Sequence, residues 1–424
     1  MTAERLRSIF DDAVAAAQPA RCVPPYLPDA PPEGRLIVLG AGKAAAAMAC
    51  ATEGHYMARG QADRLAGFVV TRHGSTIATR IIAVAEAGHP VPDAESAAAA
   101  TRALDAARAA TAQDTVLVLL SGGASALWAA PVPGVSLDAK QALTRQLLRS
   151  GAPIGDMNTV RRHLSRIKGG KLAAAAHPAR LLTLAISDVP GDDPAVIGSG
   201  PTVADPSRLA DAAAVLQRYG ITPSPEIAAA LAAPENETIK PGATALATAT
   251  YELVATPAQL LQAAAMAARA LGYEVEILGD ALEGEARDVA RQHAARALAA
   301  KARGTRLAIV SGGELTVTIR GDGAGGPNQE YALALAIALD GAQGICALAA
   351  DSDGIDGGAG NADDPAGAIV VHTTLAKAAS LALNPATFLA DNDSTGFFRR
   401  TGGLVQCGST QTNVNDIRVI LIDP

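Results

Sequence analysis

Short aliphatic runs recur along the first half of the chain, each separated from the next by an alanine-rich stretch of helical character. The runs are "RLIVLG" (35–40), "GFVVT" (67–71), "IIAVAEA" (81–87), "DTVLVLLSGG" (114–123) and "RLLTLAISDV" (180–189). Strands alternating with helices in this way form βαβ units around a mainly parallel sheet. A second series predicts a second sheet: "YELVAT" (251–256), "YEVEILG" (273–279), "RLAIVSGGELTVTI" (306–319), "GICALAADSDG" (344–354), "AGAIVV" (366–371) and "DIRVILID" (416–423). Within it, "SGGELTVTI" allows a tight reversal between two strands, so that sheet should be mixed. Between the two series, residues 219–244 gather prolines and charges and contain no clear strand.

A chain of 424 residues is longer than one hydrophobic core usually sustains. The fold class expected is therefore α/β with two domains: an N-terminal Rossmann-like domain over 1–235 and a C-terminal mixed-sheet domain over 236–424, with the active-site cleft between them. The opening "MTAERLRSIFDDAVAAAQPA" reads as an amphipathic helix, because Arg5, Arg7, Asp11 and Asp12 interrupt any signal-peptide apolar region. The longest uncharged apolar stretch, near "LVATPAQLLQAAAMAA", contains Pro257 and falls short of a membrane span.

Composition narrows the function classes. Apolar residues make up 49% of the chain and charged residues 18%, which supplies a core and argues against disorder. A net charge of -7 argues against nucleic-acid binding, which needs a basic surface. Cys22, Cys50, Cys346 and Cys407 are scattered without a C-x-x-C pair, so neither a disulfide framework nor a zinc site is expected. A soluble, cytoplasmic protein acting on a small molecule fits, with no membrane partner and with a homo-oligomer admitted.

Candidate chemistry gathers at strand ends. "RLIVLGAGKAAAAMA" (35–49) fits G-x-G-x-x-A through Gly40, Gly42 and Ala45, a dinucleotide fingerprint, yet carries Lys43, which suits a phosphoryl group. It is not a Walker A loop, whose spacing and trailing Ser/Thr are absent. Ser121-Gly122-Gly123 and Ser311-Gly312-Gly313 each end a strand, where backbone N–H groups can approach an anion. "MNTVRRHLSRIKGGKLA" (157–173) is the most basic segment. It carries Asn158, Arg161, Arg162, Lys168 and Lys171 in a chain with only seven lysines. "AISDVPGDDPAVIGSGPT" (185–202) offers Asp188 directly after a strand, then Ser199 and Gly200; Asp188 suits a Mg²⁺ ligand or a base for a substrate hydroxyl. "GAGGPNQEYALALAIAL" (323–339) puts Asn328 at a helix N-terminus, and Asp351 and Asp353 follow another strand. The spacing there resembles the start of a calcium loop, but the downstream Glu is missing, which leaves a magnesium role. His89, between a strand and a helix, is given no catalytic role.

These motifs together resemble the class II glycerate kinase family, also called glycerate 2-kinase, whose second half is known as the MOFRL domain. The stretches that carry the resemblance include "VLGAGKAAAAMA", "EAGHPVPD", "LLSGGASAL", "MNTVRRHLSRIKGGKLA", "ISDVPGDDPAVIGSGPT", "SGGELTVTI", "GGPNQEYAL", "AADSDGIDG" and "FLADNDSTGFF". The resemblance implies ATP-dependent, Mg²⁺-requiring phosphorylation of D-glycerate to 2-phosphoglycerate; some members carry the name hydroxypyruvate reductase. It implies that Lys43 is essential. The family's G-G-R-N-Q-E loop carries an arginine where this chain has Pro327, so another residue, with Arg162 or Arg320 as candidates, would have to take its place.

The candidate catalytic residues are thus Lys43, Asp188, Lys168 and Lys171. The candidate substrate and nucleotide ligands are Gly40, Gly42, Ser121, Gly122, Gly123, Ser125, Asn158, Arg162, Ser199, Gly200, Ser311, Gly312, Gly313, Glu314 and Asn328, with Asp188, Asp351 and Asp353 as metal candidates. An NAD(P)H-dependent hydroxypyruvate reductase is the alternative, and a sensor without turnover is third. A reductase needs an acidic residue about 20 positions after the glycine turn, at the end of the next strand. Asp63 stands near that offset but before the strand.

Overall fold

A computed structural model describes residues 2–29, 33–358 and 363–424 of the chain. Its contacts form two compact units, Pro19–Val254 and Met1–Gln18 together with Ala255–Pro424. The sequence pattern set the break at 235/236. The first unit runs on because "ATYELVA" is the sixth strand of the first sheet, with Tyr251 and Leu253 packed on its core, and does not open the second sheet.

The first sheet contains β1 (Leu36–Ala41), β2 (Leu65–Arg72), β3 (Ala83–Ala87), β4 (Thr115–Leu120), β5 (Arg180–Ile186) and β6 (Ala249–Ala255), in the order β3-β2-β1-β4-β5-β6. β1 pairs in parallel with β2 and with β4, and β2–β3 and β4–β5 are parallel too. Every residue of β1 and β4 is buried, as expected of central parallel strands covered on both faces. The helix Ala94–Arg108 starts where Asp93 accepts the Ser96 N–H at 2.9 Å. It buries Ala99, Ala103 and Ala107 with Ala100 and Leu104, a single stripe at helical spacing. The strand order is that of a doubly wound fold, and its winding reverses between β1 and β4, which opens a crevice at their carboxyl ends.

The other unit begins with the amphipathic helix Thr2–Ala16, which buries Leu6, Ile9, Phe10 and Ala13 and packs on the helix Pro257–Ala270. Its sheet holds β7 (Glu274–Ile277), β8 (Leu307–Gly312), β9 (Ile345–Asp351), β10 (Gly367–Val370), β11 (Leu404–Val405) and β12 (Asp416–Ile422), ordered β11-β10-β9-β12-β8-β7. The sheet is mixed, but not through a hairpin after Ser311. β12 enters antiparallel between β8 and β9, while β7 and β8 are parallel. After Gly313, whose φ is +95°, the chain makes only an isolated bridge between Thr316 and Glu285. No helix among the described residues is long and apolar enough to cross a membrane.

Candidate functional site

The turns after β1 and β4 meet at the point where the winding reverses. The Lys43 N–H donates to Gly122 O at 2.8 Å, and the Ala44 N–H donates to Ser121 Oγ at 2.9 Å. Gly42 sits at φ +139°, and a Cβ there would run into Ser121 Oγ. A Cβ on Gly40 would lie 2.7 Å from Leu119 O, so both glycines answer to the close approach of β4. Gly123, at φ +84°, faces His89 and Lys43: a Cβ on it would lie 2.9 Å from His89 Nε2 and 3.5 Å from Lys43 Cγ. The amides of Gly122 and Gly123 have no acceptor among the described residues. Two unclaimed N–H groups beside a lysine are suited to an anion.

A hydrogen-bonded chain leads away from this turn. Lys168 Nζ donates to Ser125 O at 2.8 Å and to Ser125 Oγ at 3.0 Å; Ser125 Oγ lies 3.0 Å from Ser199 Oγ, which donates to Asn158 Oδ1 at 3.2 Å. Four of the sequence candidates, from three separate stretches, are thus brought together. A cavity of about 380 Å³ opens beside them, lined by residues that include His89, Gly123, Ser125, Lys140, Arg161 and Lys168. Lys168 is buried, and its ammonium is held well below the usual lysine value by that burial and by the charges of Lys140 and Arg161. Lys140 donates to Leu164 O at 3.0 Å and is pushed down to about 7, by burial first and then by Arg161 and Lys171.

Other candidates in the basic segment hold the fold. Lys171 Nζ donates to Ser165 O and Asn236 O, each at 2.8 Å, and burial lowers it to about 8. Arg162 Nε lies 3.1 Å from Asp205 Oδ2 and is not among the residues lining the cavity. The Gly169-Gly170 break is a backbone joint: these residues donate to Ser199 O at 3.2 Å and to Gly200 O at 2.8 Å. Asp188, half-buried, follows β5 at its carboxyl end, beside β4.

In the other unit the candidates are largely occupied by protein partners. The Gly312 N–H donates to Gly279 O at 2.8 Å, and the carbonyls of Gly312 and Gly313 accept from the buried Arg418 at 3.2 and 2.9 Å. Glu314, next along, is exposed. The N-terminus of the helix Pro327–Leu339 already holds an anion. Asp356 accepts the N–H groups of Asn328 and Gln329 at 3.0 and 2.8 Å, and Asn328 Nδ2 reaches Asp416 Oδ1 at 2.7 Å. Asp416 is raised to about 7, chiefly by burial and against the pull of Arg418. One oxygen of Asp351 accepts the Asp353 N–H and one of Asp353 accepts the Ile355 N–H. Among the described residues no three His, Cys, Asp or Glu side chains converge as a metal cage.

The comparisons with known proteins agree across the chain. Residues 5–232 match the family described as "Domain of unknown function (DUF4147)", and residues 307–416 match the MOFRL family. A D-glycerate 2-kinase of Thermotoga maritima is 38% identical over 98% of this chain and 97% of its own length. A glycerate 2-kinase of Pyrococcus horikoshii is 37% identical, over 92% of this chain and 88% of its own. This chain belongs to the glycerate 2-kinase family. A crystal structure of the Thermotoga maritima glycerate kinase superposes with a TM-score of 0.89 at 36% identity, covering 99% of each chain. A 49% identical protein of Agrobacterium vitis, matched over 98% of this chain and 94% of its own, carries a provisional hydroxypyruvate reductase name.

Within the family frame, Pro327 takes the first turn of its helix, where a missing N–H costs nothing. Neither candidate replacement for the family arginine lies in the cavity beside Lys168: Arg162 is paired with Asp205, and Arg320 is an exposed residue of the other unit. Three cavity residues were missed by sequence reasoning. His89 had a signal in the "GHPVPD" stretch. Arg161 could not be told from Arg162, since neighbours on a helix point about 100° apart. Lys140 gave no signal at all.

Proposed function

We propose that this protein is an ATP-dependent kinase that phosphorylates D-glycerate at its 2-hydroxyl, giving 2-phosphoglycerate, and that it works in the cytoplasm. The observation that carries the reading is Lys43 beside the unclaimed Gly122 and Gly123 amides, where the first sheet reverses its winding. Phosphoryl transfer asks mainly for positioning and for positive charge around the moving group. Lys43 would neutralise charge on the transferring phosphoryl group, and the two amides would orient it. Lys168, with Ser125, Ser199 and Asn158, would hold further anionic oxygens. Lys171 would support that charge from the base of the segment.

Asp188 would accept the glycerate hydroxyl proton or hold Mg²⁺. A strand-end carboxylate fits Mg²⁺, which binds through one or two carboxylates plus substrate phosphates, better than a cation that needs an all-protein cage. Asp351 and Asp353, at and just after the end of β9 in the other unit, are the further carboxylates proposed for it. When bound, the ion would supply charge neutralisation on the phosphates.

The reductase reading is favoured by the names of two Agrobacterium vitis relatives and by the G-x-G-x-x-A turn. β2 ends at Arg72, and the residues that follow are His73 and Gly74, so the chain itself places no acidic residue at the position a dinucleotide fold uses for the adenosine ribose. Asp63 lies in the turn before β2, exposed beside Arg64. The test is to incubate the purified protein with D-glycerate, ATP and Mg²⁺, and separately with hydroxypyruvate and NAD(P)H. Phosphoglycerate without nicotinamide oxidation is expected; the reverse pattern sinks the kinase reading.

A further inference from the structure

The described residues lining the cavity beside Lys168 include the cations Lys140, Arg145, Arg161 and Lys168 and no carboxylate. Cations buried without a counterion are costly, and proteins normally pair them. Here Lys140 and Lys168 have only neutral oxygens, from Leu164 and Ser125. An anion from outside the chain would supply the partner that their charged forms lack. The lining also carries Val91 and Leu148, which are 59% and 57% exposed although both are large and apolar. Gln141, Thr144, Arg145 and Leu148 share one face of the helix Leu137–Arg149, and Gln141 Nε2 fixes that face to the opposite wall by donating to Pro92 O at 2.7 Å.

A three-carbon hydroxy acid has no apolar face to lay on Val91 and Leu148, and it carries one charge where four cations wait. A nucleotide has both a flat base and several anionic oxygens. The volume, about 380 Å³, falls within the ~300–1,000 Å³ usual for small-molecule sites. Resting on the kinase reading above, we propose that this cavity seats the nucleoside triphosphate. Its phosphates would lie against Lys140, Arg161, Lys168 and the Gly122–Gly123 amides, and its base over Val91 and Leu148.

The seat has a proton signature. The groups acting on Lys140 are Arg161 from the helix Ile154–His163 and Lys171 from the helix Lys171–Ala176. Lys168, Arg145 from its own helix and His89 line the same cavity. The positive charges of Arg161 and Lys171, joined by those of Lys168 and Arg145, all disfavour the ammonium, so an arriving polyanion restores it. Nucleotide binding then takes up a proton above neutral pH, where the terminal phosphate is already ionised. Affinity falls as pH rises from 7.5 to 9.

The test uses the full chain and isothermal titration with ADP, adenosine and inorganic triphosphate, in two buffers of different ionisation enthalpy, alongside KM values for ATP and D-glycerate. Lys140→Met should weaken ADP and triphosphate by about tenfold, the loss of one charged contact, and reduce the buffer-dependent heat, leaving the share taken up by Lys168. Leu148→Gln, at an exposed position that cannot unfold the protein, should weaken ADP and adenosine several-fold and leave triphosphate unchanged. Neither should move KM for D-glycerate. If ADP binds both variants as it binds wild type, or if KM for D-glycerate rises instead, the proposal is overturned. If ADP binds as expected while wild type forms no phosphoglycerate, the seat stands and the kinase reading fails.

Discussion

Gly42→Ala is the sharpest perturbation of the turn between β1 and Lys43. The substitution places a Cβ at φ +139° and drives it into Ser121 Oγ, the atom that accepts the Ala44 N–H. Three costs follow. Backbone strain in a region L-residues avoid is roughly 1–3 kcal/mol. Overpacking of a buried contact adds about 1–3 kcal/mol. The displaced hydrogen bond adds about 1 kcal/mol. The sum, roughly 3–7 kcal/mol, is a large part of the ~5–15 kcal/mol that holds a domain together. In a unit of this size it should lower the melting temperature by about 6–28 °C. Gly60→Ala is the control: Gly60 also has a positive φ, +68°, but nothing lies within 4 Å of a Cβ there. It should cost only ~1–2 kcal/mol of backbone strain. Differential scanning calorimetry of the two variants decides the matter. Equal melting temperatures would show that the contact with Ser121 does not constrain the turn, and with it would go the account of how Lys43 is aimed.

Other perturbations test other parts of the structure. Lys43→Ala should lower kcat by about 10³-fold, since a charge pair at ~4 Å and an effective dielectric of ~20 is worth roughly 4 kcal/mol; near-full activity in a steady-state assay would remove Lys43 from the mechanism. Lys140 is depressed to about 7 in the folded chain. The unfolded chain therefore binds more protons from pH 7 up to about 10.4, and stability climbs with pH across that window. Lys140→Met should remove that residue's share of the climb, gaining most on wild type near pH 7, by up to about 4 kcal/mol, with the gap closing toward pH 10; parallel urea-denaturation profiles for the two proteins would refute this. Asp356→Ala strips the cap from the helix Pro327–Leu339 and strands the buried Asn328 and Gln329. It should cost roughly 2–4 kcal/mol, with Asp356→Asn milder, as thermal melts would show.

The strands were legible because parallel strands covered on both faces read as plain aliphatic runs, as in β1 and β4. β6 was misassigned to the second sheet because an edge strand alternates, and "ATYELVA" carries no mark of which sheet it joins. Ser-Gly-Gly at the end of β8 reads like the one at the end of β4, yet the backbone around Gly312 and Gly313 is claimed by Gly279 and Arg418. Such tertiary partners leave no local signature. The same holds for the helix start at Asn328, whose N–H groups look available until Asp356, distant in sequence, arrives to take them. Lys43, Ser125, Asn158, Lys168 and Ser199 were found because chemistry-bearing residues at strand ends and in glycine turns stand out. Lys140 was invisible because a lysine on an amphipathic helix is usually solvated, and only the packed neighbours reveal that this one is not.

The way β12 sits between β8 and β9 orders events during synthesis. Residues 19–254 form one continuous stretch that can fold as soon as it leaves the ribosome. The other unit must hold residues 2–16 in reserve, with Leu6, Ile9 and Phe10 uncovered, until their partners from 255 onward are made. Its sheet cannot close until residues 416–422 arrive, because its central strand is made last. At ~5–20 residues per second the stretch from Gly312 to Ile422 takes roughly five to twenty seconds, a period in which the edges of β8 and β9 that β12 will cover are exposed to the cell.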